Sequence, residues 1–162
     1  MVNKSLLVAL AVSAAPLVSA VGNAKVLNLC TESVTLWSVG QYVSNPYTIA
    51  ANGGTYSEPF VRDPVTGGKA LKITKAPNGL YTGAPQLNFA YSLDNDKIWY
   101  DLSTVFGDVF PGKKLVEYSA EPSCPAIVWP NGTPPPGSQV KVCTSSKDVT
   151  LVLCANPNSG PW

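Results

Sequence analysis

The sequence predicts an all-β protein, an antiparallel β-sandwich, and three observations carry that reading. Short runs rich in Val, Leu, Ile, Thr and aromatic residues recur along the chain, and several alternate apolar with polar. Turn-forming clusters separate them, as in NGG at 52–54, TGG at 66–68, PNG at 77–79 and SSKD at 145–148. Beyond residue 20 no stretch keeps a helical apolar period for three turns, and 15 prolines and 13 glycines oppose one. The 162 residues suit a single domain.

The first twenty residues stand apart from that domain. MVNKSLLVALAVSAAPLVSA carries Lys4, then an apolar run from Leu6 to Ala15, then small residues. This is the pattern of a secretory signal peptide, with cleavage expected after Ala20, where Val18 and Ala20 present small side chains at the two pocket-filling positions. The apolar run is too short to cross a bilayer, no later segment is long enough, and no lipid-anchor signal is expected. A soluble protein is expected, secreted and extracellular or associated with a cell wall.

The strands follow in order: AKVLNLC (24–30), SVTLWSV (33–39), ALKIT (70–74), QLNFAYSL (86–93), KIWYDLS (97–103), KLVEYS (114–119), QVKVC (139–143) and DVTLVLC (148–154). Two regions read as irregular. Residues 40–68 hold three prolines and five glycines. Residues 122–137, PSCPAIVWPNGTPPPG, hold six prolines, which cannot donate to a sheet ladder. The domain is expected over 21–154, with a loose tail over 155–162. No internal repeat is visible.

With Lys4 set aside, ten basic residues face ten acidic ones. No basic stripe exists to neutralise phosphates, so nucleic acid is not an expected partner, and attraction to a membrane surface has no support either. A monomer is expected.

Four cysteines, Cys30, Cys124, Cys143 and Cys154, in an exported chain read as two disulfides. Their spacing is unlike a zinc site, and the chain has no histidine. Of the three pairings, Cys30 with Cys154 and Cys124 with Cys143 is favoured, because Cys30 ends the first strand run and Cys154 the last. In the chain-entropy model the long loop would contribute roughly 4–5 kcal/mol and the short one about 3.

The chemistry-bearing stretch is SLDNDKIWYDLS, residues 92–103. Leu87, Phe89, Tyr91 and Leu93 alternate on one strand, and Ile98, Tyr100 and Leu102 on the next. DND between them is a polar hairpin turn, so Asp94 and Asp96 read as turn residues. A helical-hand calcium loop would need glycine at its sixth place and glutamate at its twelfth; counted from Asp94 these are Trp99 and Val105. No metal is expected. Asp101 differs: it lies within a strand, with Trp99 and Ser103 on its face. A regular register adds Asn88, Ala90 and Ser92 from the partner strand. Such a face is a solvated surface or the floor of a binding groove.

LNFAYSLDNDKIWYDLSTVFGDVFPG resembles the central hairpin of the thaumatin-like family, with its L-A-E-F-type strand, polar turn and F-Y-D-V-S-L-V-D-G run. VLNLCTESVTLWSVG resembles the family's opening strand pair, with a cysteine after an Asn-containing run and a tryptophan, Trp37, facing the core. Within that group the chain is most similar to the small fungal secreted proteins of the antigenic and yeast-phase-specific thaumatin-like kind. The likeness covers most of residues 24–154, in a minimal form with four cysteines instead of many. It implies a first-to-last disulfide, in agreement with Cys30–Cys154.

Larger members of the family have an acidic cleft associated with β-glucan. On this sequence the aspartate of the F-Y-D-V-S run falls on Asp101, the next one on Phe106 with Asp108 two places on, and the glutamate of the L-A-E-F strand on Asn88. The cleft's arginine and further aspartate have no counterpart; Arg62, the single arginine, lies in the irregular region. Glycoside hydrolysis needs two carboxyl groups at a set separation, one of them protonated, and an asparagine amide cannot replace the acid. A glucanase is therefore disfavoured unless Asp108, Glu58 or Glu117 supplies the second group. Without histidine there is no Ser-His-Asp or Cys-His arrangement and no copper-binding histidine brace, and no glycine loop for phosphate precedes a helix. No cofactor is expected.

Two further features sit in the proline-rich region. NGT at 131–133 makes Asn131 a candidate N-glycosylation site. Trp129 reads as a loop anchor packed inward rather than a displayed stacking surface. Three functions follow as expectations. The first is a non-catalytic secreted protein at a cell wall or host surface, binding a polysaccharide such as β-glucan through Asp101, Asn88, Trp99 and Ser103. The second is a weak β-1,3-glucan hydrolase or antifungal protein, its carboxyls Asp101 and Asp108. The third is a structural or antigenic surface protein without a ligand.

Overall fold

The structure, a computed structural model, describes residues 20–157. Apart from Ala20, the expected signal peptide lies outside the described residues, as does the tail from residue 158 onward. In chain order the elements are β1 (Asn23–Asn28), β2 (Val34–Val39), β3 (Tyr47–Ile49), β4 (Gly54–Pro59), β5 (Lys69–Thr74), one helical turn α1 (Gly79–Thr82), β6 (Gln86–Asp94), β7 (Lys97–Val105), β8 (Leu115–Ser119), β9 (Ile127–Trp129), β10 (Lys141–Thr144) and β11 (Val149–Leu153). They form two packed sheets, one of five strands in the order β4-β1-β11-β8-β9 and one of six in the order β10-β7-β6-β5-β2-β3.

Alternation decides what each strand buries. Ala24 and Val26 of β1, Val149, Leu151 and Leu153 of β11, and Leu115 of β8 point from the five-stranded sheet into the core. Leu71 and Ile73 of β5, Leu87, Phe89 and Tyr91 of β6, and Ile98, Tyr100 and Leu102 of β7 meet them from the six-stranded sheet. Burying each large apolar side chain stabilises the fold by roughly 1.5–3 kcal/mol before its ordering entropy is counted. The described hairpin is as predicted: Asp94 pairs with Lys97 across a two-residue turn, and Asn95 takes the left-handed conformation such a turn requires (φ 54°).

Both disulfides form with the favoured pairing, Cys30–Cys154 with Cα atoms 5.1 Å apart and Cys124–Cys143 at 5.6 Å. The sandwich is not wholly antiparallel, however. β1 and β11 run parallel, Ala24 opposite Val149 through Asn28 opposite Leu153. Almost the whole chain serves as the crossover a parallel pair needs. Because both strands end on the same side, Cys30 and Cys154 meet there; at their beginnings Asp148 takes hydrogen bonds from the Asn23 backbone and side chain and an ion pair from Lys25 at 2.5 Å.

Both regions read as irregular contain strands. β3 and β4 occupy 40–68, where edge positions tolerate Pro46 and Pro59. β9 lies between Pro125 and Pro130, pairing Leu115 with Trp129 and Glu117 with Ile127. Trp129 is fully buried and its indole N–H donates to Gln139 Oε1 at 3.0 Å, the loop-anchor arrangement. Trp37, by contrast, does not face the core. It lies on the outer face of the six-stranded sheet, opposite Lys72, and belongs to neither apolar cluster. It is buried there, with Tyr81 of α1 edge-on at 6.3 Å. The folded part also runs past 154: Ala155 is buried and its N–H donates to the Lys114 carbonyl.

Candidate functional site

The β6–β7 register places the predicted residues together on the outer face of the six-stranded sheet. Ser92 stands opposite Trp99, Ala90 opposite Asp101 and Asn88 opposite Ser103. Asn88 is thus the diagonal neighbour of Asp101, and all four predicted residues share one face. Ala90 is small, so the sheet dips between its neighbours. The resulting shallow trough, about 230 Å³, is bounded by Trp99 and Asp101 on β7, Ser92 and Ala90 on β6, and Lys69 and Val140 at the sides.

Neighbouring hydrogen bonds fix this face. Gln86 Nε2 donates to Asn88 Oδ1 at 2.5 Å, which occupies the amide oxygen and leaves the amide N–H groups for other acceptors. Ser92 Oγ donates to the Gly67 carbonyl at 2.8 Å and holds the 66–68 turn at the trough's end. Lys69 borders the trough but pairs with core-facing Tyr91, and its ammonium turns to the core side, donating to Ser38 Oγ at 3.2 Å and pairing with Glu58 Oε1 at 3.6 Å. Trp99 remains 43% exposed, an unusual degree for an indole in a sheet interior. Burial raises the Asp101 carboxyl above the usual carboxylate range, against a backbone hydrogen bond at Leu102 that lowers it.

No second carboxyl joins Asp101 on this face among the described residues. Asp108 accepts from Thr104 Oγ1 at 3.3 Å, and Thr104 leaves β7 on the side opposite Asp101. Asp108 lines a separate depression with Lys75 and Pro85. Glu58 lies between the sheets and accepts from Tyr56 at 2.8 Å and Tyr91 at 2.5 Å; burial first, and then these bonds to Glu58, push both phenols up. Glu117 projects into the core from β8, fully buried, with neither carboxyl oxygen hydrogen-bonded. Burial first, and then the charge of Asp101, holds it well above the usual glutamate range. Tyr100, on the core side of β7, is pushed up to about 12 by burial and by Glu117. Glu117 is thus behind the sheet that carries Asp101, closed off from solvent.

Sequence alternation found Asp101, Asn88, Trp99 and Ser103. It missed Lys69 and Val140, which reach the trough from other parts of the chain. It also missed Lys72, which stands between Trp37 and Asn88 in the row that ends at Ser103. Only strand order reveals that row. Asn131 and Thr133 are both exposed in the turn after β9, which is held by Gly112 N–H donating to the Asn131 carbonyl at 2.8 Å.

Comparison with known proteins places the chain among fungal sequences. A family model described as Bys1, Blastomyces yeast-phase-specific protein, matches residues 11–155. An antigenic thaumatin-like protein of Arthroderma benhamiae is 28% identical over 150 residues, covering 86% of this chain and 75% of that protein. The crystal structure of the protein elicitor MoHrip2 from Magnaporthe oryzae superimposes with a TM-score of 0.68 at 24% identity, over 83% of this chain and 99% of that one, and shares the fold.

Proposed function

This chain belongs to the Bys1 family, the Blastomyces yeast-phase-specific proteins, and from that premise we propose a secreted, non-catalytic protein of the cell wall or host surface that holds polysaccharide in the trough beside Trp99. The observation that carries the reading is an exposed indole next to a carboxyl in one trough, with an amide and a hydroxyl in the following row of the same rigid sheet face. The indole offers a flat apolar surface to the C–H face of a sugar ring. Asp101 accepts hydrogen bonds from ring hydroxyls, and a chain that runs on past the trough meets Ser103 and the edge of the largely buried Asn88 amide in the following row. The name of the Arthroderma benhamiae relative, an antigen, supports a place where a host meets the protein.

Cleavage is disfavoured by the same geometry. Retaining hydrolysis uses carboxyls about 5–5.5 Å apart and inverting hydrolysis about 6.5–9.5 Å, both in contact with one glycosidic bond. Here the trough offers Asp101 alone, Asn88 stands beside it, and Glu117 is sealed behind the sheet.

Co-sedimentation with insoluble β-1,3-glucan and with chitin at low salt tests the proposal. The wild type is expected to be retained on one of them, and Trp99→Ala to bind about tenfold more weakly, a loss of roughly 1–1.5 kcal/mol. Absence of retention on either polymer would remove the binding function.

A further inference from the structure

A depression larger than the trough lies elsewhere. It measures about 590 Å³, lies where β1 and β11 end, and shares no lining residue with the Trp99 trough. Its floor is apolar: Phe110, Leu29, which is 41% exposed, and the Cys30–Cys154 bridge. Its rim is cationic, with Lys75, Lys113 and Lys114 against a single carboxylate, Glu32.

The charges do not cancel. Glu32 pairs with Lys75 at 3.0 Å, and the Lys75 ammonium also lies 5.7 Å from the centre of the Phe110 ring. Lys113 and Lys114 make no ion pair among the described residues; Lys114 Nζ reaches only the Pro157 carbonyl, at 3.4 Å. Two uncompensated cations therefore border one cavity of a chain whose formal net charge is +1.

The walls are fixed by covalent and backbone links. The disulfide joins the two strand ends, and Cys154 turns the chain through a left-handed conformation (φ 56°), so that Ala155 and Pro157 form one wall. Lys113 N–H donates to the Phe110 carbonyl at 3.0 Å and Ala155 N–H to the Lys114 carbonyl at 2.8 Å. Gly132 packs so closely beneath this loop that a Cβ there would collide with the Phe110 carbonyl. The lysine backbones are thus positioned before any ligand arrives, which lowers the ordering cost of binding.

We infer that this cavity binds a small organic anion with an apolar body, a carboxylate or sulfonate on an aryl or alkyl frame. The anionic group sits between Lys113 and Lys114, and the apolar part covers Phe110 and the disulfide. The volume lies within the range of small-molecule pockets, and attraction to lysine at a partly desolvated rim is stronger than in open water.

The test is an amide-shift titration of the isotope-labelled full chain with 8-anilinonaphthalene-1-sulfonate, run beside inorganic phosphate and uncharged naphthalene. Saturable shifts are expected at Leu29, Glu32, Phe110 and Ala155, with phosphate and naphthalene each at least tenfold weaker. Lys113→Glu with Lys114→Glu should weaken the sulfonate at least tenfold, and Lys113→Gln with Lys114→Gln should do so by a smaller factor. Trp99→Ala should bind as the wild type does, and added salt should weaken binding. Shifts centred on the Trp99 trough, no saturable shift, or affinity unchanged by charge reversal would each overturn the assignment.

Discussion

Glu117 is a buried acid whose ionisation opposes folding. Its carboxyl is buried without a hydrogen-bond partner, so the folded state favours the neutral acid. The folded pKa is raised above the unfolded value of about 4.3, so the folded state binds more protons once the pH exceeds that value. Its contribution is complete below about pH 4.3 and is lost as pH rises through the folded pKa. Asp63 and Asp148 work in the opposite direction. Backbone N–H groups of Thr66, Gln41 and Val65 lower Asp63 to about 2. Burial would raise Asp148, but Lys25 and Asn23 hold it below its usual value. Their contributions are lost as pH falls below about 4. Denaturant titrations should therefore find greatest stability in mild acid, near pH 4–5. Glu117→Leu should gain about 1–3 kcal/mol at pH 7 and much less at pH 4. A wild-type curve rising steadily from pH 5 to 8 would refute this role for Glu117.

The strands of the β6–β7 hairpin were readable because one face is core and the other is not, so alternation fixed both register and site. The turn obeys a local rule too: Asn95 has φ 54°, so Asn95→Gly should be nearly neutral while Asn95→Ala costs about 1 kcal/mol, measurable by chemical unfolding. Equal effects of the two changes would contradict that reading of the turn. β3, β4 and β9 were unreadable because their residues give weak local signals. β4, GTYSEP, is a polar edge strand, and β9 has three residues between prolines; tertiary pairing, not propensity, makes them strands. Trp37 misled for a related reason. An outward indole in a strand is normally exposed, but α1 covers this one, and the cover comes from residues more than forty positions along the chain. Tyr81→Ala should uncover Trp37 and shift tryptophan emission to longer wavelength with little loss of stability. An unchanged spectrum would mean that Tyr81 does not seal it.

At the scale of the whole molecule, the first and last strands lie side by side and the Cys30–Cys154 bridge closes a separation of 124 residues. Replacing both cysteines with serine should cost roughly 4–5 kcal/mol, against about 3 for Cys124 with Cys143, and thermal unfolding under matched conditions would rank them. The reverse ranking would place the principal clasp in the shorter loop. Cysteine positions and the family likeness made this frame legible, whereas the parallel sense of β1 and β11 was hidden because strand direction depends on the complete path. The lysine-rimmed cavity was hidden for the same reason: Glu32, Lys75, Lys113 and Asn156 come from four separate segments. The trough's chemistry was more accessible, since it reduces to one carboxyl beside one amide. Reducing-sugar release from β-1,3-glucan, measured for the wild type and Asp101→Asn together, tests that most directly. No release above the blank by either protein is predicted; release by the wild type that disappears in Asp101→Asn would contradict a trough that binds without cutting.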